Sequence, residues 1–350
     1  MKKHGFILVC ASVLLLFCMA GISSAAQRVH RLSFTIGDPE NASKSIFYRN
    51  LADKTREATN GGLDITVFAG GTLFGHFEAL EAVKSGAADM AWFFTPWAPR
   101  QFPLTEVVGL PFLFGGNQMA LTYVLQELYK KQIPELAEEL SVFKVVNIYA
   151  QPVNYLYTTF PIATPDDLRG KQVRSIAGAA AACLTGWGAS PAFISAPEVY
   201  EAMDKGVVQG AVWEWSGVNS NSLYEVIDYC VYLPLFANPF LAIMNNDSYN
   251  NIPAEYKAAF DEIWVNPQTS FDFSRMFADE AEEARVIGTT QFNVQEIYPD
   301  AAMMNLFQPV ADEFIAQWVK ENTTPTFNAQ EFIDLARSLY EEGVKLFPNN

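Results

Sequence analysis

Glycine punctuation between residues 29 and 94 constrains the fold of this chain more than any other feature. Residues 29–36 alternate moderately between apolar and polar side chains and read as a strand. After a polar turn from Gly37 to Ala42, residues 43–59 place Phe47, Leu51 and Thr55 four apart, the spacing of one partly buried helical stripe. Asn60-Gly61-Gly62 stops that helix, because glycine tolerates the left-handed backbone of a helix end and asparagine tolerates it better than most residues. Leu63 to Phe68 alternates again and is broken by Gly70-Gly71. A helix over Phe77 to Ser85, with Leu80 and Val83 inward, ends at Gly86, and Asp89 to Phe94 follows as a third strand. Strand, helix, strand, helix, strand is the rhythm of a parallel α/β sheet with helices on its faces.

The rest of the chain repeats the rhythm. Leu110-Pro111-Phe112-Leu113-Phe114 reads as a short buried loop, residues 118–140 as helix, and Phe143 to Ala150 as a strand leading into Pro152 to Tyr157. A second unit starts there. Thr164 to Leu168 is a helical turn, Lys171 to Ser175 a strand, Ala177 to Trp187 a helix and Ala192 to Ile194 a strand. Pro197 to Lys205 is a helix with proline in its first turn, where a missing N–H does no harm, and Val207 to Trp213 is a strand. Cys230 to Phe236 and Pro239 to Asn245 read as strands, and residues 252–264, 267–290, 308–321 and 329–346 as helices. The fold class expected is α/β with two lobes. Residues 27–152 with about 240–280 form the first lobe, and 153–239 with about 281–350 the second. A ligand cleft between them is expected at the strand ends.

The first 26 residues stand apart. Lys2 and Lys3 precede an almost wholly apolar run from Phe6 to Ile22, and Ser23 to Ala26 supply a small-residue cleavage region. That is the layout of a secretory signal peptide, which sends the mature chain to the periplasm without inserting it in the membrane. An uncleaved anchor is the alternative, since the apolar run approaches spanning length. The net charge of -16 opposes nonspecific binding to nucleic acid or anionic lipid, though one buried arginine can still hold an anion. Cys183 and Cys230 remain after cleavage. An oxidising compartment permits a disulfide between them, and two separately buried thiols fit equally well. His30 and His76 lie apart in the sequence, and neither a nucleophile elbow nor a phosphate-binding glycine loop occurs. No metal, cofactor or catalytic group is expected. A secreted enzyme acting on a small anionic substrate is the competing class.

Arg174 ends the strand from Lys171. An arginine stays ionised in a dry cleft, and its planar fork pairs with a carboxylate through two parallel hydrogen bonds. The alternatives are a surface arginine or an interlobe salt bridge. Aromatic residues crowd two regions, Trp92, Phe93, Phe94 and Trp97 in one and Trp213 and Trp215 in the other. Adjacent strand residues face opposite ways, so Trp213 and Trp215 share a face while Glu214 points away. Core packing is the alternative for each tryptophan. Those that line the cleft imply a ligand with an apolar or aromatic portion, and an indole N–H can bond a polar atom on it.

Four stretches carry a wider resemblance. They are TNGGLDITVFAGGTL at 59–73, EALEAVKSGAADM at 78–90 followed by LPFLF at 110–114, PDDLRGKQVR at 165–174 continuing through GAS at 188–190, and PEVYEAMDKGVVQG at 197–210. In this order and spacing the chain resembles, over residues 30–325, the periplasmic substrate-binding component of tripartite ATP-independent (TRAP) transporters, the dicarboxylate-binding family. The resemblance implies two lobes braced by a long helix, closure on a small organic acid, and delivery to a pair of membrane subunits driven by an ion gradient. It makes Arg174 the main carboxylate ligand. It puts Trp92, Phe93 and Phe94, Asn154 and Tyr155, and Trp213, Glu214 and Trp215 in segments that contact ligand. Some members carry a basic residue just ahead of the position of Pro161-Ile162, where this chain has Phe160. That departure argues against a strongly dianionic ligand. With the tryptophans it points to a monocarboxylate with an apolar or aromatic body.

Overall fold

The computed structural model describes residues 28–98, 100–176 and 178–348, so the expected signal peptide lies outside the described residues. The first run of elements is β1 (His30–Thr35), α1 (Ser43–Ala58), β2 (Leu63–Phe68), α2 (Ala79–Ser85), β3 (Met90–Phe94), α3 (Gln118–Lys130), α4 (Pro134–Leu140) and β4 (Lys144–Ala150). Then come β5 (Asn154–Thr158), β6 (Gln172–Arg174), α5 (Ala179–Gly186), β7 (Ser190–Ala192), α6 (Val199–Asp204), β8 (Gly210–Trp213), α7 (Trp215–Ser220) and β9 (Tyr229–Phe236). The chain ends with β10 (Pro239–Met244), α8 (Asn246–Asn250), α9 (Ala254–Phe260), α10 (Pro267–Gln291), β11 (Gln295–Ile297), α11 (Ala301–Asn322) and α12 (Ala329–Leu346).

Two sheets result, one per lobe. The first has the order β2-β1-β3-β10-β4 and the second β11-β9-β5-β8-β6-β7. β1 runs parallel to β2 and β3, as the glycine-punctuated rhythm predicts. β10 departs from that rhythm. It returns from the second lobe and inserts antiparallel between β3 and β4, so the sheet is mixed. Alternation along the strands separates two apolar layers. Leu32, Phe34, Met90 and Trp92 join Trp264 and Phe273 on one face, whereas Ala91, Phe93, Ile148 and Leu241 join α3 and α12 on the other. Each large side chain enclosed in this way contributes about 1.5–3 kcal/mol.

The second sheet is covered likewise, by α5 and α11 on one face and by α6, α7 and the end of α10 on the other. The long helix α10 braces both lobes. Phe273 and Phe277 pack in the first lobe, and Ala284 packs in the second. Its start is fixed by Asn266, whose side chain accepts from Gln268 N at 3.0 Å, and by Pro267.

Several boundaries differ from the sequence reading. Residues 118–140 form two helices, because Gln132 turns through φ 51° and Pro134 opens α4 with no N–H to continue α3. α11 begins at Ala301 rather than 308, where Asp300 caps it by accepting from Met303 N at 2.8 Å, and Pro309 lies inside it. The strand expected at 192–194 lies at Ser190–Ala192, and the edge strand β11 has no counterpart in the reading. Cys183 and Cys230 are free. Cys183 packs on one face of the second sheet and Cys230 on the other, which resolves the open alternative in favour of separate thiols.

Candidate ligand-binding site

In the second lobe β6, β7 and β8 run parallel, so their carboxyl-terminal ends share one edge. Val173 turns into the layer with Leu156 and Val212, and Arg174 therefore projects from the opposite face. Arg174 is buried. Its Nε donates to Ile194 O at 3.3 Å and its Nη1 to Val212 O at 3.1 Å. Its Cζ lies 3.9 Å from the centre of the Trp213 ring, close enough for a cation–π contact. Among the described residues, no carboxylate pairs with this guanidinium, and its Nη2 end makes no hydrogen bond. Burial alone pushes its pKa down to about 10, so it is still a cation at neutral pH. A buried charge held only by carbonyl oxygens and a ring face is costly, and a ligand anion would offset that cost.

The other expected site residues divide. Trp213 is half-buried on the Arg174 face, at the end of β8. The strand stops there, so Trp213 and Trp215 do not share a strand face, which corrects the alternation argument. Glu214 is the N-cap of α7. Its carboxylate accepts from Gly217 N at 3.0 Å and Ser216 Oγ at 2.6 Å, and Gln151 Nε2 approaches at 3.4 Å. It is buried rather than pointing away, and desolvation raises its pKa. Trp215 is a core residue. It packs 5.1 Å from Tyr157 and over Gly288, and its Nε1 donates to Tyr232 OH at 3.0 Å. Asn154 and Tyr155 sit on opposite faces of β5. Asn154 Nδ2 donates to Phe236 O at 3.4 Å, and the Tyr155 ring lies 4.7 Å from Tyr232 with its hydroxyl against Gly116. Phe160 packs with the Ile162 layer, under the Lys171 ammonium at 4.6 Å.

In the first lobe, β1, β2 and β3 also end on one edge. Trp92 is buried with its Nε1 donating to Tyr149 OH at 2.7 Å, and it stacks on Phe240 at 4.7 Å. Phe94 stacks on Phe240 at 4.8 Å and meets Trp97 edge-on at 5.2 Å. Phe93 points to the far layer, against Phe102 and Phe143, and is removed from this edge. The sequence reading missed Lys44, whose ammonium lies 4.3 Å over Trp92 and acts electrostatically on Glu214. The only sequence signal for Lys44 is its position just inside the helix that follows β1.

Two mixed α/β sheets that the chain enters more than once, a long helix through both lobes, and a solitary buried cation at a strand end define the two-lobed solute-binding class. The chain belongs to the DctP family of bacterial extracellular solute-binding proteins, family 7, whose model matches residues 35–317. It is 26% identical over 281 residues to the C4-dicarboxylate-binding periplasmic protein DctP of Rhodobacter capsulatus, covering 76% of this chain and 80% of that one. A TRAP periplasmic solute-binding protein from Desulfovibrio salexigens superposes with a TM-score of 0.81 at 22% identity, over 90% of this chain and 96% of that one. A TRAP solute-binding protein from Rhodoferax ferrireducens, solved with copurified benzoate, gives 0.78 at 21% identity, over 91% and 99%. The family binds small organic acids outside the cytoplasm for TRAP transport. No helix among the described residues is long and apolar enough to cross a membrane.

Proposed function

We propose that this chain captures a small monocarboxylate with an apolar or aromatic body and passes it to the membrane subunits of a TRAP transporter. The observation that carries this reading is Arg174, a buried cation with no acidic partner among the described residues, beside the half-buried ring of Trp213. A carboxylate completes the guanidinium fork through charge-assisted hydrogen bonds. The apolar body then gains about 25 cal/mol for each Å² removed from water against the aromatic residues. Lys44, a cation at the strand-end edge of the first lobe, is already paired with Asp38 at 2.5 Å, which supports one carboxylate rather than two. The benzoate held by the Rhodoferax protein agrees with this class. Ligand favours the closed arrangement of the lobes to the extent that it binds that state more tightly.

The test is a thermal-shift screen against small organic acids, followed by calorimetric titration of the best one. Arg174→Ala is expected to weaken binding by about 2–5 kcal/mol. Equal affinity in the two proteins overturns the assignment. The acid is expected back unchanged after incubation, and product formation would favour a secreted enzyme instead.

A further inference from the structure

A second polar cluster lies at the strand-end edge of the first lobe, and capture of a carboxylate by Arg174 leaves it unused. Asp38 stands just beyond β1, with its Oδ1 paired to Lys44 Nζ at 2.5 Å. His76, in the segment between β2 and α2, packs 4.5 Å from Trp97 and 5.8 Å from Trp92. Two buried atoms of this cluster have no hydrogen-bond partner among the described residues, Asp38 Oδ2 and His76 Nδ1. Such atoms are uncommon, and each unmet one costs about 1–3 kcal/mol. Burial also pushes the His76 pKa below its ordinary value, so its ring is largely neutral at pH 7. The Asp38–Lys44 pair cancels its own charge. What the cluster lacks is therefore a neutral group that both donates and accepts.

We propose that Asp38, Lys44 and His76 form the far half of the ligand site and select an acid whose apolar body carries a hydroxyl. The hydroxyl donates to Asp38 Oδ2 and accepts from the His76 Nδ1–H tautomer, with the body lying along Trp92 and Trp97. A bare ring edge satisfies neither atom. A second carboxylate there meets the Asp38 oxygen with no uncompensated cation to hold it. Glu214, the residue after Trp213, is approached at 3.4 Å by Gln151, which lies in the crossing between β4 and β5, so the edge that carries Arg174 borders the first lobe. The proposal rests on carboxylate capture by Arg174 and adds what is read at the other end.

The experiment is calorimetric titration with benzoate, 3-hydroxybenzoate, 4-hydroxybenzoate and isophthalate. The better hydroxy isomer is expected to bind about 10- to 100-fold more tightly than benzoate, and isophthalate more weakly than benzoate. Asp38→Asn and His76→Leu are each expected to bring the hydroxybenzoate-to-benzoate ratio close to one. Asp38→Asn also leaves Lys44 uncompensated, so isophthalate is expected to gain about tenfold over its binding to the parent protein. If the parent protein binds benzoate and both hydroxybenzoates equally, or if Asp38→Asn keeps the preference, the hydroxyl subsite is overturned and carboxylate capture stands. If none of the four acids binds the parent protein, capture of an aromatic monocarboxylate fails and the hydroxyl subsite fails with it. The first comparison needs no variant, so a substitution that disturbs folding does not shield the proposal.

Discussion

Trp264, in the first lobe, is wholly enclosed. Its ring stacks at 6.0 Å on Tyr48 and 6.0 Å on Phe260, and its Nε1 donates to Thr55 Oγ1 at 2.7 Å. Trp213, in the second lobe, is half-buried and spends its face on the Arg174 guanidinium at 3.9 Å. One indole has every partner supplied by the fold, down to its N–H. The other is arranged around a cation whose own partner the fold does not supply. Burial with full satisfaction marks an element of stability, and partial burial beside an incomplete charge marks an element of binding.

The largest effect should come from breaking the first case. Trp264→Ala is expected to cost about 3–5 kcal/mol of stability, from lost apolar burial and the cavity left behind. Urea denaturation measures it, and the folded fraction should keep its ligand affinity. A loss below about 1 kcal/mol would mean that the first-lobe core relaxes around the gap, and the contrast with Trp213 would collapse.

The same contrast holds for buried charge. Glu106, in the first lobe, is pushed up to about 7, mainly by desolvation, with the nearby Glu139 charge adding to it. Arg174 titrates only near 10 and stays charged throughout the working range. For Glu106 the folded state holds its proton more tightly than the unfolded chain, whose ordinary value is 4.5. Stability therefore falls as pH rises from 4.5 towards about 7, and levels off above that. Glu106→Gln is expected to raise stability at pH 8 by about 2 kcal/mol relative to the parent and to flatten the slope. Some slope should remain, because desolvation raises Glu139 and Glu214 in the same direction. Denaturation at pH 5 and pH 8 decides it, and an unchanged slope would assign the dependence to those two groups.

The two regions were unequally legible. In the first lobe, glycine stops and period-two runs located β1, β2 and β3, since those signals are local. The sequence reading assigns residues from about 240 to the first lobe, but the antiparallel insertion of β10 between β3 and β4 is not local, because its partners lie far away in sequence. At Trp213-Glu214-Trp215 the period of two imitates a strand, yet the residues straddle a strand end and a helix cap. What decides is the Glu214 carboxylate accepting from Gly217 N, a bond that hydrophobic alternation cannot report. Arg174 was legible because its motif lies in one stretch. Asp38 and Lys44 follow β1 while His76 follows β2, so the cluster is complete only when β1 and β2 pair.

Trp213→Ala tests the second indole directly. It is expected to weaken carboxylate binding by about 1–2 kcal/mol, through loss of the face over Arg174, while leaving stability within about 1 kcal/mol. Titration and denaturation of the same preparation separate the two quantities. A stability loss as large as that of Trp264→Ala, with affinity intact, would make Trp213 a second core residue and break the comparison.

The smallest effect is also the most discriminating, because the substitution lies beside the indole and not in it. Gly217, in α7, leaves room for Trp213. A Cβ built there would run into the indole Nε1 and its neighbouring carbons. Gly217→Ala thus sets two effects against each other. Alanine favours the helix by about 1 kcal/mol over glycine, and the methyl pushes the Trp213 ring off the guanidinium. If the ring matters for binding and little for stability, the melting temperature should hardly move while affinity falls by about 1 kcal/mol. If Trp213 were chiefly packing, the clash would outweigh the helical gain and stability would drop first. Shared loss of affinity in Gly217→Ala and Trp213→Ala, with no further loss in the double variant, would show that both act through the same ring.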